Sequence, residues 1–112
     1  MDILKRIAER TSIKKCIEVP EWGEKGSPVK VYYGPLLTGE INRIQRKHPN
    51  FLNDAKFDAQ IDLIILKAEN GQGEKMFTLE HKAGLMGEEA SIIATIAAAL
   101  MSGRTVEDAE KN

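Results

Sequence analysis

The chain reads as an α+β domain, mostly α-helical, with an N-terminal β-hairpin packed on about four helices. Three observations predict this. Two β-branched runs, Ile17 to Val19 and Val29 to Tyr33, lie near the N-terminus around a stretch rich in glycine and ending in proline. Beyond Gly34-Pro35 the apolar spacing changes from alternation to the three-and-four pattern of helices. The length, 112 residues with 42% hydrophobic and 29% charged, suits one globular domain with an ordinary core. We expect residues 1–103 to form that domain and residues 104–112 to be a polar, frayed tail.

The elements follow in order. Ile3, Leu4, Ile7 and Ala8 recur at helical spacing among charged neighbours, predicting an amphipathic helix from Asp2 to Arg10. Lys14 to Val19 reads as a strand closed by Pro20, with Gly23 to Pro28 as the hairpin loop, and Val29, Val31 and Tyr33 alternate with Lys30 and Tyr32 in the second strand. A lone hairpin is marginal in water, so helices must cover it. Thr38 is placed to cap a helix whose first turn holds Glu40 and whose apolar stripe is Leu37, Ile41 and Ile44; His48-Pro49 ends it. Asn53 is placed to cap a central core helix from Asp54 to Ala68, with Phe57, Ile61, Ile64, Ile65 and Ala68 on one face and Leu63 and Leu66 widening it. After the Asn70-Gly71-Gln72-Gly73 loop, Thr78 caps a short helix ending near Gly84 or Gly87. A last helix runs from Glu88 to Met101 and stops at Gly103.

Composition and motifs exclude several function classes. Sixteen basic and seventeen acidic residues leave a formal charge of −1, which offers no global field for nucleic acid or an anionic membrane. Arg43, Arg46, Lys47 and His48 form one basic cluster, but no aromatic residue interleaves with it. The N-terminal stretch is broken by charges and lacks the apolar run of a secretory signal, so a cytoplasmic location is expected. The single cysteine, Cys16, has no internal partner and is expected as a buried, inert thiol. Asp54, Asp58 and Asp62 fall four apart on the helix side away from Phe57 and Ile61, the pattern of a solvated face rather than of paired catalytic carboxylates. His48 reads as a helix-end residue near the last carbonyls and His81 as an exposed first-turn residue. No paired histidine or cysteine motif suggests a metal centre, and the Gly71/Gly73 pair lacks the strand and lysine of a phosphate loop. No catalytic residue, cofactor or metal is expected.

The last helix is apolar on nearly every side, with Ser91, Thr95 and Ser102 its only polar positions. It is too short for a bilayer, which takes roughly 20 apolar residues. Two readings stand: a core helix surrounded by the others, or a helix with one side turned to a partner or another copy, carried by Ile92, Ile96 and Leu100.

Taken together, the Ile17-Glu18-Val19-Pro20-Glu21-Trp22-Gly23 segment, the Leu37-Thr38-Gly39-Glu40 helix start and the Met76-Phe77-Thr78-Leu79-Glu80 segment give an order that resembles the tail assembly chaperones of long-tailed bacteriophages and prophages. The resemblance runs from Ile17 to Met101. It departs from the pattern at Gly34-Pro35, where relatives more often carry a basic residue within the strand, and at Ile41, where a further charge is usual. Trp22 is expected to cap the core and Gly23 to supply a positive φ angle. The resemblance implies a non-enzymatic cytoplasmic factor, absent from the finished virion, that keeps the tape measure protein soluble and helps recruit tail tube subunits. It also implies a longer product made by ribosomal frameshifting; Glu110-Lys111-Asn112 can be encoded by a slippery heptamer. A structural tail completion or connector subunit and a small bacterial adaptor are the alternatives.

Overall fold

A computed structural model describes residues 2–102 of the chain. Those residues form an antiparallel hairpin and five α-helices, the α+β arrangement expected. Helix α1 (Ile3–Thr11) is followed by β1 (Lys15–Glu24), β2 (Ser27–Tyr33), α2 (Thr38–Lys47) and α3 (Phe57–Lys67). A 3-10 turn (Leu79–His81) leads into α4 (Lys82–Met86), and α5 (Ala90–Ser102) closes the described chain.

The hairpin has the two faces its alternation predicts. Ile17 pairs with Val31, Val19 with Val29 and Lys15 with Tyr33, and the inner side of this ladder carries buried Val19, Val31 and Tyr33. Glu18 stands opposite Lys30 on the outer face, a favourable cross-strand charge pair. Cys16, opposite Tyr32, shares that outer face and is half-buried rather than interior, because a one-residue step along a strand reverses the side on which a side chain stands. β1 also runs through Pro20 instead of stopping there. The register shifts between Val19 and Glu24, and an edge strand with such an irregularity tolerates a proline that has no ladder hydrogen to give. Beyond β2, Tyr32 and Glu69 exchange two backbone hydrogen bonds of 2.9 Å, which joins the segment after α3 to this side of the hairpin and leaves β1 as the free edge.

Gly23 does not have the positive φ expected of it; within the hairpin Gly26 does, in the two-residue turn between the strands. Gly23 is needed for space. A Cβ there would overlap the Ser27 carbonyl oxygen and lie 2.9 Å from both Pro28 Cα and Val29 N. Gly23→Ala is therefore expected to push the strands apart and destabilise the fold by about 1–3 kcal/mol. Gly39→Ala, where no atom lies within reach of the added Cβ, is the matched control; comparing their urea midpoints tests the difference.

The core sits where α3 packs on α5 beneath the hairpin. Ile61, Leu63, Ile64, Ile65 and Ala68 of α3 and its end meet Ile93, Ile96, Ala97 and Leu100 of α5, with Phe51, Ile44 and Leu85 filling the flanks. α3 begins at Phe57, three residues later than Asp54, because a turn in which the Asp54 N–H reaches the Asn50 carbonyl consumes the residues before it. Lys56, not Asn53, precedes the first helical residue, and Phe57 lies at the helix start with half of its surface in solvent rather than in the buried stripe. In α2, Thr38 is the first helical residue and Leu37 the residue before it; the Glu40 carboxylate accepts the Leu37 N–H at 2.9 Å and so performs the capping expected of Thr38.

Trp22 packs half-buried against the core, edge-on to Phe77 at 5.7 Å, and its Nε1–H donates to the Glu88 carboxylate at 2.6 Å. This contact ties the hairpin tip to the start of α5. The stop at Gly103 and the tail from Arg104 to Asn112 lie outside the described residues.

Candidate functional site

Two features stand out beyond the core: an ion cluster between helices and a set of apolar surfaces left in solvent. The ion cluster begins with the four-residue spacing of Asp58 and Asp62, which places both carboxylates on one side of α3. That side faces neighbours rather than solvent. His48 at the end of α2 brings Nε2 to 2.7 Å from Asp62 and 3.8 Å from Asp58, Lys47 lies 3.4 Å from Asp62, and Lys82 of α4 reaches Asp58 at 2.6 Å and Asp62 at 2.9 Å. The solvated acidic face expected from the sequence is thus a junction of three helices, and the His48 ring meets a carboxylate instead of the helix-end carbonyls. Asp54 stays outside it, paired with Lys56 at the surface.

Oxygen and nitrogen donors of His48, Asp58 and Asp62 lie within 4.8 Å of one another, a set that suits a divalent cation. The Lys82 ammonium stands between the two carboxylates and already supplies the positive charge, so the arrangement works as a clamp of α2, α3 and α4. The charges act on the acids accordingly. The hydrogen bond from Lys82 holds the Asp58 carboxyl below its ordinary range. Burial pushes the Asp62 carboxyl up, but hydrogen bonds from His48 and Lys82 outweigh it and leave it lowered. Burial lowers the Lys82 ammonium, and its bonds to both carboxylates reverse that and raise it.

These directions set a pH dependence. Carboxylates lowered in the folded state contribute stability above their unfolded values, near 4, and lose it as pH falls through the folded ones; raised Lys82 contributes fully below about pH 10 and loses its share as pH climbs further. The contacts of Lys82 with the two carboxylates are therefore at full strength between about pH 5 and 9. Lys82→Met is expected to flatten the acid limb of a urea-midpoint against pH curve relative to the wild-type chain, and coincident acid limbs would refute the clamp.

The apolar surfaces are more unusual. Every described residue of α1 except Thr11 is exposed, with Ile3 at 64%, Leu4 at 77% and Ile7 at 42%, so its apolar stripe is left largely uncovered by its own chain. Asp2 caps the helix by accepting the Lys5 N–H, which holds its first turn without tertiary support. Ile7 and Ile13 border an open groove of about 790 Å³ against Tyr33, Pro35, Leu36 and Leu37. A second groove, of about 540 Å³, lies between α2, α3 and the 3-10 turn, lined by Ile44, Ile65, Leu66, Phe77 and the exposed Leu79 together with Arg43, Lys47, His48, Asp62 and Lys75. Arg43 and Arg46 of the basic cluster stay exposed, whereas Lys47 and His48 are engaged by Asp62.

The residues singled out on the last helix divide. Ile96 and Leu100 are buried at 1% and 0% and hold the core against α3; Ile92 reaches the surface beside Ser91 and Thr95. The side of α5 toward solvent is made of small residues, Ala94, Thr95 and Ala98, which is how a nearly all-apolar helix remains partly exposed. The charged pairs at the α2–α3–α4 junction escaped the sequence reading because each partner comes from a different helix. The free α1 stripe escaped it because amphipathic spacing does not say whether a face finds a cover.

The domain class is thus a hairpin on a small helical bundle, with open grooves beside α1 and between α2 and α3. No protein-family model, curated protein or solved structure matches the chain. No described helix is long and apolar enough to cross a membrane.

Proposed function

We propose that the chain is a phage tail assembly chaperone that covers apolar stripes of the tape measure protein until tail tube subunits replace it. The groove between α2, α3 and Leu79 carries this reading: it is open to solvent and lined by Ile44, Ile65, Leu66, Phe77 and Leu79, with Arg43, Lys47 and Lys75 beside the paired His48 and Asp62. A long helical client with an apolar stripe bordered by acidic residues suits such a groove, since burial supplies the attraction and the basic side chains set orientation. The contacts must be exchangeable, and a shallow groove on a small domain meets that need. The resemblance of the Pro20-Glu21-Trp22-Gly23 and Leu37-Thr38-Gly39-Glu40 segments to those chaperones supplies the identity of the client.

The test is a pull-down of the tagged protein from cells carrying its own gene cluster, with bound proteins identified by mass spectrometry. Recovery of a very long helical protein from wild type, and its loss with Leu79→Glu, supports the proposal. Recovery of only the chain itself or of unrelated host proteins overturns it and favours a structural tail subunit or an adaptor.

A further inference from the structure

We infer that α1 of one copy docks on the β1–α5 groove of the next, so that the chain self-associates head to tail. The two surfaces lie on the same molecule and match in chemistry. On α1, Ile3, Leu4 and Ile7 form the stripe, and Arg6 and Arg10 run along its edge at the helical spacing of about 100° per residue. The free edge of β1 and the first half of α5 enclose a second surface, a groove of about 170 Å³ with Ile17, Ile92 and Ile96 in it and Glu18 and Glu21 at its rim. That volume admits about one aliphatic side chain, the size of Leu4 or Ile7. No ion pair within 4 Å joins Arg6, Arg10 or Glu21 to another described residue, and Glu18 has Lys30 as a cross-strand neighbour without such a contact, so these charges are available to each other across a contact.

Within one chain α1 does not fill this groove: Ile3, Leu4 and Ile7 stay exposed, and α1 borders a different one, with Tyr33, Pro35 and Leu37. A surface that binds a different surface of an identical copy is heterologous, and repetition gives a ring or an open chain rather than a closed dimer. Carboxylates at the edge of β1 together with Pro20 discourage strand-to-strand pairing there, which leaves side-chain docking of a basic-edged helix as the favoured use of that edge. A nine-residue helix covers less than the roughly 800 Å² per partner of a standard interface, so the association is weak and depends on concentration. This inference uses the protein alone and stands whether or not the tape measure protein is its client.

Sedimentation velocity of the purified full chain tests it, over a range reaching about 1 mM. Wild type is expected to grow past a dimer as concentration rises. Leu4→Asp, at a position 77% exposed and so harmless to folding, abolishes growth. Arg6→Glu with Arg10→Glu, or Glu18→Arg with Glu21→Arg, each weakens association about tenfold or more, and all four reversals in one chain restore it. A wild-type chain that stays monomeric, a dimer indifferent to these reversals, or a fourfold variant no better than either pair overturns the inference. Monomeric chains whose Arg6 and Arg10 instead drive flotation with phosphatidylglycerol vesicles also overturn it, assigning α1 to an anionic lipid surface.

Discussion

Leu100→Ala is expected to lower the unfolding free energy by about 2–5 kcal/mol, and Ile96→Ala by a similar amount. Both side chains are fully enclosed where α5 lies on α3, against Ile61, Leu63 and Ile64, so truncation removes buried methyl groups and leaves a cavity that rigid helices cannot close. Chains of this size have only about 5–15 kcal/mol in total, so either change consumes a large share. The readout is urea unfolding followed by the fluorescence of Trp22, the sole tryptophan, whose contacts with Phe77 and Glu88 are lost when the hairpin leaves the helices. An interface role for these two residues makes the opposite forecast: unchanged midpoints and a loss confined to association. Ile92→Ala serves as the comparison, since its half-exposed side chain forfeits much less on truncation.

How far the sequence carries is visible in these same elements. Period and punctuation located the second strand and the main helices to within a few residues and the start of the first strand, though not its run past Pro20 to Glu24, because alternation at Val29 to Tyr33 and three-and-four spacing at Ile61 to Ala68 follow directly from which faces are buried. The errors cluster where tertiary contact overrides local preference. Asn53 has capping chemistry, yet the turn after Phe51 moves the helix start past it. Asp58 and Asp62 look solvated on a helical wheel, and only the approach of α2 and α4 turns them into a clamp. Of the last-helix residues, periodicity alone did not separate Ile92 from Ile96 and Leu100, since a helix apolar all round presents no moment by which to orient it. The amphipathic spacing of α1 was plain; that no residue of its stripe is buried within the chain is a property of packing alone.

Glu40→Ala is expected to cost about 3 kcal/mol or more, an effect out of proportion to a residue near the surface. Lys67 is the buried charged residue of the core, 7% exposed, and its ammonium donates to the Glu40 carboxylate at 2.8 Å and to the Pro35 carbonyl at 3.0 Å. Those two acceptors join the end of α3 to the start of α2 and to the segment that follows the hairpin. Removing the carboxylate leaves a cation in a place where water reaches poorly, and it also frees the Leu37 N–H that Glu40 accepts. Lys67→Met behaves differently. It replaces the ammonium by an apolar chain of similar length among apolar neighbours, and Glu40, 21% exposed, keeps solvent and the Leu37 N–H. Its cost is expected to be well below that of Glu40→Ala, and the double variant should recover much of the loss caused by Glu40→Ala alone. Equal losses from the two single changes, with simple addition in the double, would show that the pair contributes no more than an exposed salt bridge.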